Sequence, residues 1–487
     1  MSPQDQLDRP VPFGVYGHTG CSLAGLDRGA FEAFREREKQ AKNSQQNKNL
    51  EQKARKSVPH FGTNTKAVDD PNDLSRAGWA VLYSPSANKD IRRKLEPLLK
   101  VRREQAGGLY KEFEVPGGQD AYAWLHAFGL VQDQLVTPAK GVPYYLLIVA
   151  PPDEISFEFQ YTVDIQWAVG RIWFPVAEDF ARYAKSVVDY ESSEIIPTSR
   201  QVAVFATEHK LDRATQLFTK CVAKPLVDPA DPIGASRKYA VQSFLGENAT
   251  RDNLHRIWSG SIDKGPPALV FTGTHGMAFP SGDAEQAPSQ GAILCQDWEG
   301  FGKIRREDYY AAANLPASAK VWGMIHFFFA CYAAGWPQLD NFSRLANSHA
   351  EIAPKPMLAR LPQALLAHQS GGALAVIGHV DRAWAYSFRS DDKVTYIDGF
   401  EDATTRILRG ERVGNAMDAF NQRWSILSSS LAELERQVSR REDTDVDFES
   451  ALATRLSNQW VARDDARNYI VFGDPAVRLR EKDMPGL

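Results

Sequence analysis

Short, unbroken apolar runs punctuate this chain. GWAVLYS at 78–84, YYLLIVA at 144–150, QVAVFAT at 201–207, ALVFTGT at 268–274, the run at 321–330 and ALAVIGHV at 373–380 have the length of strands and are apolar at nearly every position. A strand that is apolar on both sides belongs inside a mostly parallel sheet with helices on either face. The intervening segments supply those helices. Ile91, Leu95, Leu98 and Leu99 recur at helical spacing within 90–105, where Pro97 should introduce a kink, and further helices are expected at 121–128, 212–222 and 250–258. Thr250 or Asn248 is the N-cap candidate for the last of these, and 416–438 reads as a long amphipathic helix lying over the second group of strands. Segments 110–115 and 239–245 complete the pattern as strands. The fold class is α/β.

The strand and helix alternation occurs twice, and the polar stretch DYESSEIIPTS at 189–199 between the two occurrences suits a linker. The expected organisation is a polar N-terminal arm at 1–70, a first α/β subdomain at 71–193, and a second at 200–487 that ends in a helical segment. Within the arm, 27–57 is polar and includes the low-complexity run NSQQNKNL, which fits a solvated helix or a segment for partner binding or processing.

Composition narrows the function classes. At 487 residues, 43% hydrophobic and 24% charged, the chain is too long for one small module and too apolar for a disordered one. A formal net charge of −4 argues against a globally basic nucleic-acid binder, so no nucleic-acid partner is expected. The uncharged stretch at 321–339 approaches membrane-spanning length, but Gly323, His326, Gly335 and the Trp336-Pro337 pair interrupt it, so no membrane association is expected. The first ten residues carry no basic and apolar leader pattern, and the four cysteines, Cys21, Cys221, Cys295 and Cys331, form neither a disulfide framework nor a CxxC metal motif. A cytoplasmic location with reduced thiols is the expectation.

Open parallel sheets bind ligands beyond the carboxyl ends of their strands. Four strand ends in the second half carry chemistry: Glu208 and His209, His275-Gly276, Cys331, and His379 with Asp381. A thiol becomes a nucleophile when an imidazole can take its proton, so His275 and Cys331 at neighbouring strand ends form a candidate base and nucleophile. Gly276 and the small residues after Cys331, Ala333-Ala334-Gly335, leave backbone amides free to hold an oxyanion. Cys221, within a helix, and Cys295, with no His-Gly beside it, read as bystanders. His326 lies inside an apolar strand and reads as a core histidine, while His379 lacks a companion nucleophile.

At these positions the sequence resembles the caspase-like cysteine peptidases, and most closely their gingipain-like branch. The matching residues are TGTHG ending at Gly276, FFFACYAAG ending at Gly335, and further along LPQALLAH at 361–368, GGALAVIG at 371–378 and FGDPAVRL at 472–479. The resemblance implies two αβα subdomains, the first without and the second with a His275/Cys331 dyad, and endopeptidase cleavage through a thioester. It also implies that the Gly276 and Cys331 backbone amides form the oxyanion hole. Thiol chemistry needs no cofactor, so none is expected; a calcium requirement occurs in some members of the family, but the chain shows no EF-hand pattern and no metal site is expected. The chain lacks the Gln-Ala-Cys-Arg/Gln-Gly form of true caspases, which removes the basis for Asp specificity.

Charged residues beside the rim suggest what selects a substrate. Asp212 or Asp381 would favour a basic P1 side chain, Trp384 would wall the pocket, and Glu208 would orient His275. The loop at 280–290 is a candidate gate or cleavage site. The leading expectation is thus a cysteine endopeptidase, bacterial in type, acting on protein or peptide substrates. A catalytically silent scaffold, in which the His275 and Cys331 side chains would lie out of reach of one another or the rim would be plugged by another segment, and an effector activated by a partner protein are the alternatives.

Overall fold

The computed structural model describes residues 11–23, 68, 70–130, 135–342, 350–390, 392–439 and 446–485. The low-complexity arm at 27–57 lies outside the described residues. In chain order the strands are β1 (Gly14–Tyr16), β2 (Trp79–Tyr83), β3 (Tyr110–Glu114), β4 (Tyr145–Val149), β5 (Ala168–Ile172), β6 (Ser199–Ala206), β7 (Ala240–Leu245), β8 (Pro267–Gly273), β9 (Gly276–Ala278), β10 (Ile293–Leu294), β11 (Tyr309–Tyr310), β12 (Ile325–Phe329), β13 (Gly335–Trp336), β14 (Met357–Leu358), β15 (Ala375–His379) and β16 (Tyr469–Gly473). The principal helices are α1 (Lys89–Ala106), α2 (Ala121–Ala127), α3 (Phe157–Asp164), α4 (Ala177–Ser192), α5 (Arg213–Phe218), α6 (Arg251–Trp258), α7 (Arg360–Leu366), α8 (Asp398–Leu408), α9 (Asp418–Ser439) and α10 (Val446–Arg467).

Every unbroken apolar run of the sequence is a strand, and all of them share one ten-stranded sheet in the order β3-β2-β4-β5-β16-β15-β12-β8-β6-β7. Pairings are parallel everywhere except between β16 and β15. The two halves are therefore parallel sheets running in opposite directions, joined edge to edge. β16, from the end of the chain, runs with the first half and is inserted between the halves, so the sheet continues across the boundary expected at 193–200. The stretch expected as a linker there is the last turn of α4 followed by a short approach to β6.

Right-handed crossovers dictate where the helices go. From β2 to β3 the chain moves outward, and from β3 to β4 it returns past β2, which puts α1 and α2 on opposite faces. α1 packs on α4, and α2 on α3. Pro97 sits inside α1 without ending it. A buried charged cluster pins the seam: Asp474, just after β16, accepts from Trp79 Nε1 at 2.9 Å and Arg102 Nε at 2.7 Å, while Arg102 also reaches Glu191. Gly170 is required where β5 meets the end of β16, since a Cβ there would lie 2.2 Å from the Gly473 oxygen.

In the second half the chain passes from β6 outward to β7 and then back to β8, so the switch in strand order falls between β6 and β8. Because the halves are antiparallel, the carboxyl ends of the first half lie at the opposite edge of the sheet. The first half thus contributes no strand end to the rim that carries His275 and Cys331. α9 packs over the sheet as its periodicity predicts, with Phe420 against Phe327, Phe400 and Tyr469. No helix among the described residues is long and apolar enough to cross a membrane.

Candidate functional site

β8 and β12 are adjacent and parallel, with Gly273 in register with Phe329, so His275 and Cys331 leave the sheet from neighbouring strands. Gly276 shows why a glycine follows the histidine. A Cβ there would fall 1.8 Å from the Cys331 carbonyl oxygen, so only a bare backbone allows β9 to lie against Cys331. Tyr332, immediately after the cysteine, has φ 60°, and its amide donates to the oxygen of Asp381, which has φ 69°. Two non-glycine residues in the left-handed region, bonded to each other, fix the turn beyond the thiol.

His275 Nε2 lies 2.8 Å from Asp212 Oδ2. An ionised carboxylate only accepts, so Nε2 donates, and among the described residues Nδ1 has no hydrogen-bond partner. Asp212 is held by its own helix: it is the N-cap of α5, accepting from the Thr215 amide at 3.0 Å and the Thr215 hydroxyl at 2.6 Å. Burial opposes its ionisation, but His275 and Thr215 outweigh that and hold the carboxyl well below the usual range. His209, beside them, is lowered to about 4, first by burial and then by the neighbouring His275.

Glu208, expected to orient His275, does not do so; its carboxylate pairs with Lys224 at 3.3 Å on the surface, and Asp212 takes its place. Asp381 is wholly buried, accepting from the Arg382 amide at 2.7 Å and from Asn341 Nδ2 at 3.1 Å, and burial followed by the nearby Asp340 raises its carboxyl to about 6. Arg382 is engaged by both oxygens of Asp340. Trp384 is buried with Phe342 and Arg382 against it. Neither Asp212 nor Asp381 is thus free to receive a basic side chain.

The other candidates also have fixed partners. His379 pairs with Asp465, which in turn accepts from the Trp384 amide at 2.8 Å and so braces the loop after β15. His326 Nε2 accepts from Trp258 Nε1 at 3.1 Å in the core, and Cys295 is buried, its thiol pushed up by that burial. The 280–290 loop is anchored by Gln286, whose Nε2 donates to the Ile352 oxygen at 2.6 Å.

The feature that sequence reading missed is the N-terminal segment. Residues 11–16 run extended across the rim. The Phe13 amide donates to the Ala383 oxygen at 2.8 Å, and the Ala385 amide donates to the Val11 oxygen at 3.1 Å, so this stretch pairs antiparallel with the loop after β15. Beyond it, β1 pairs parallel with β9, Gly14 opposite Gly276. The carbonyl oxygen of Phe13 accepts from both the Gly276 and the Cys331 amides, each at 3.0 Å. Cys331 Sγ accepts from the Ala383 amide at 3.2 Å, and a Cβ on Gly14 would lie 2.9 Å from that sulfur. The thiol is fully covered, and burial pushes it far above its ordinary value. The only sequence hint of the segment was its short apolar stretch VPFGVY within an arm otherwise polar.

No protein-family model matches the chain, and no curated protein matches it. Two solved structures are similar in arrangement. One is the complex of Porphyromonas gingivalis RgpB pro- and mature domains, at TM-score 0.48 and 13% identity over 83% of this chain and 80% of that one. The other is a protease, at TM-score 0.48 and 12% identity over 84% and 80%. At such identity the chemistry rests on this chain's own residues.

Proposed function

We propose that the protein is a cysteine endopeptidase in which Cys331 is the nucleophile, His275 the base and acid, and Asp212 the group that orients the histidine. The observation that carries this reading is the convergence of the Gly276 and Cys331 amides on one carbonyl oxygen beside the Cys331 thiol. Two N–H donors aimed at a single oxygen are what a tetrahedral oxyanion requires, and removing one such donor typically costs on the order of 10²-fold in rate.

In the reaction, the Cys331 sulfur adds to the scissile carbonyl as its proton passes to His275 Nδ1. The oxygen, now negative, is held by the two amides. Collapse breaks the C–N bond, His275 protonates the departing amine, and water then hydrolyses the thioester and restores the thiol. Asp212 keeps Nε2 protonated throughout, which leaves Nδ1 as the proton-transferring atom. Protein or peptide chains bound extended along the loop after β15 are the substrates.

A peptidyl acyloxymethyl ketone tests the reading. Stoichiometric labelling of Cys331, abolished by Cys331→Ala and reduced by His275→Ala, is the expected result; labelling unaffected by Cys331→Ala would sink it. The competing reading, a silent scaffold, draws on the covered thiol and occupied rim, and requires that the peptidyl ketone fail to label Cys331 even when Phe13 is prevented from docking.

A further inference from the structure

We propose that residues 11–16 are the enzyme's own first substrate: Phe13 occupies the P1 position, and the chain cuts itself between Phe13 and Gly14. The proposal rests on the peptidase reading above and adds its substrate class.

Contacts at four places set the segment in the register of a scissile peptide. On the acyl side, Phe13 N and Val11 O make antiparallel hydrogen bonds to Ala383 and Ala385, and Pro12, which has no amide to satisfy, bridges opposite Trp384. At the centre, the Phe13 oxygen takes both amides of the candidate oxyanion site. On the leaving-group side, the Gly14 oxygen accepts from the Leu23 amide at 2.9 Å, and β1 continues along β9. Further out, His18 Nε2 lies 2.7 Å from Asp283 Oδ2 and clamps the segment to the 280–290 loop. Gly14 is the residue that lets this backbone settle onto the thiol, because any side chain there would strike Cys331 Sγ and Leu23.

The Phe13 ring defines the pocket. It meets Phe329 at 4.7 Å, Phe388 at 5.8 Å and Phe218 at 6.0 Å, each edge to face, with the His275 ring at 6.1 Å. Such a site binds a large aromatic side chain by apolar burial and ring quadrupoles. Among the described residues, the rings packed on Phe13 carry no carboxylate for a buried arginine or lysine.

Self-cleavage balances without a further reagent. The Cys331 sulfur adds to the Phe13 carbonyl carbon, the Phe13–Gly14 C–N bond breaks, and His275 returns the thiol's proton to the Gly14 amine. Water then releases Phe13 as a carboxylate and regenerates the thiol. The burial that raises the Cys331 thiol is the resting condition of a cleft filled by its own peptide.

The test follows the intact full-length chain by mass spectrometry and N-terminal sequencing. Wild type should acquire Gly14 as a new N-terminus at a rate independent of protein concentration, Cys331→Ala should stay uncut, and Phe13→Asp should slow the cut by at least about 10-fold. Phe13→Asp should also speed Cys331 alkylation by iodoacetamide by at least about 10-fold, since undocking exposes the thiol. An uncut wild-type chain that hydrolyses Phe-containing peptides in trans overturns self-cleavage and leaves the peptidase reading standing. Equal alkylation of the two proteins overturns the occupied-cleft assignment. Faster alkylation of Phe13→Asp with neither self-cleavage nor ketone labelling overturns the peptidase reading itself.

Discussion

Asp212 Oδ2 stands 2.8 Å from His275 Nε2, and the same oxygen accepts from the Thr215 amide and hydroxyl of the helix that Asp212 caps. One carboxylate therefore starts a helix and fixes an imidazole. Asp212→Asn retains a good N-cap but removes the charge that holds Nε2 protonated. We expect its thermal stability to fall by less than about 1 kcal/mol while kcat on a P1-Phe peptide falls by about 10²-fold or more. Asp212→Ala should lose both, which a paired melt and activity assay will separate.

Gly276→Ala places a methyl 1.8 Å from the Cys331 oxygen. β9 must retreat, and the Gly276 amide goes with it. Activity should drop by about 10²-fold or more, and labelling of Cys331 by the peptidyl ketone should slow in parallel, because both reactions build negative charge on the same oxygen.

Selectivity at P1 should follow the ring cluster around Phe13. A peptide series differing only at P1, read by kcat/KM, should favour Phe over Arg by at least about 10²-fold, since an unpaired guanidinium among Phe218, Phe329 and Phe388 loses its hydration. A preference for Arg or Lys would mean that Phe13 does not mark the P1 site.

Acid should destabilise the fold through two buried histidines. Burial lowers His326 to about 3, and burial with the nearby His275 lowers His209 to about 4, against 6.5 for each when unfolded. Below 6.5 the unfolded chain binds protons that the folded chain refuses, so their contribution is full above that pH and is lost as pH falls toward the folded values, by up to about 2.7 kcal/mol per pH unit. His326→Gln keeps an acceptor for Trp258 Nε1 and should flatten the slope of denaturation free energy between pH 6 and 4.5 by about one proton.

Asp474 ties β16 to the first half-sheet. Asp474→Ala strands Trp79 Nε1 and takes from buried Arg102 the carboxylate on its Nε, leaving it Glu191 and Gln105, so urea denaturation should show a loss of about 3 kcal/mol. The FGDPAV motif at 472–477 is thus explained by the seam rather than by the chemistry.

Much of this architecture was written in local pattern. Apolar runs with no polar alternation specify strands covered on both faces, which is why β2, β4, β6, β8, β12 and β15 were legible, and Thr250 caps α6 as its side chain predicts. His275-Gly276 and Cys331 were legible too, because strand ends followed by small residues are a local property. What no local pattern carries is pairing between distant segments. Sequence pointed to Glu208 as the partner of His275 and to Asp212 as a pocket residue; the N-cap geometry of α5 instead turns Asp212 toward the imidazole and leaves Glu208 with Lys224. Asp381 and Trp384 look like rim residues until the Arg382 amide and Asn341 take the carboxylate of the first and Asp465 takes the amide of the second. The sequence alone determined the α/β class, eight of the ten strands of the main sheet, β5 and β16 being the two it did not mark, and the placing of His275 and Cys331 at neighbouring strand ends. Tertiary structure decided that two half-sheets form one continuous sheet, that Asp212 serves His275, and that Phe13 lies over Cys331, because each depends on bringing together groups from 63 to more than 300 positions apart.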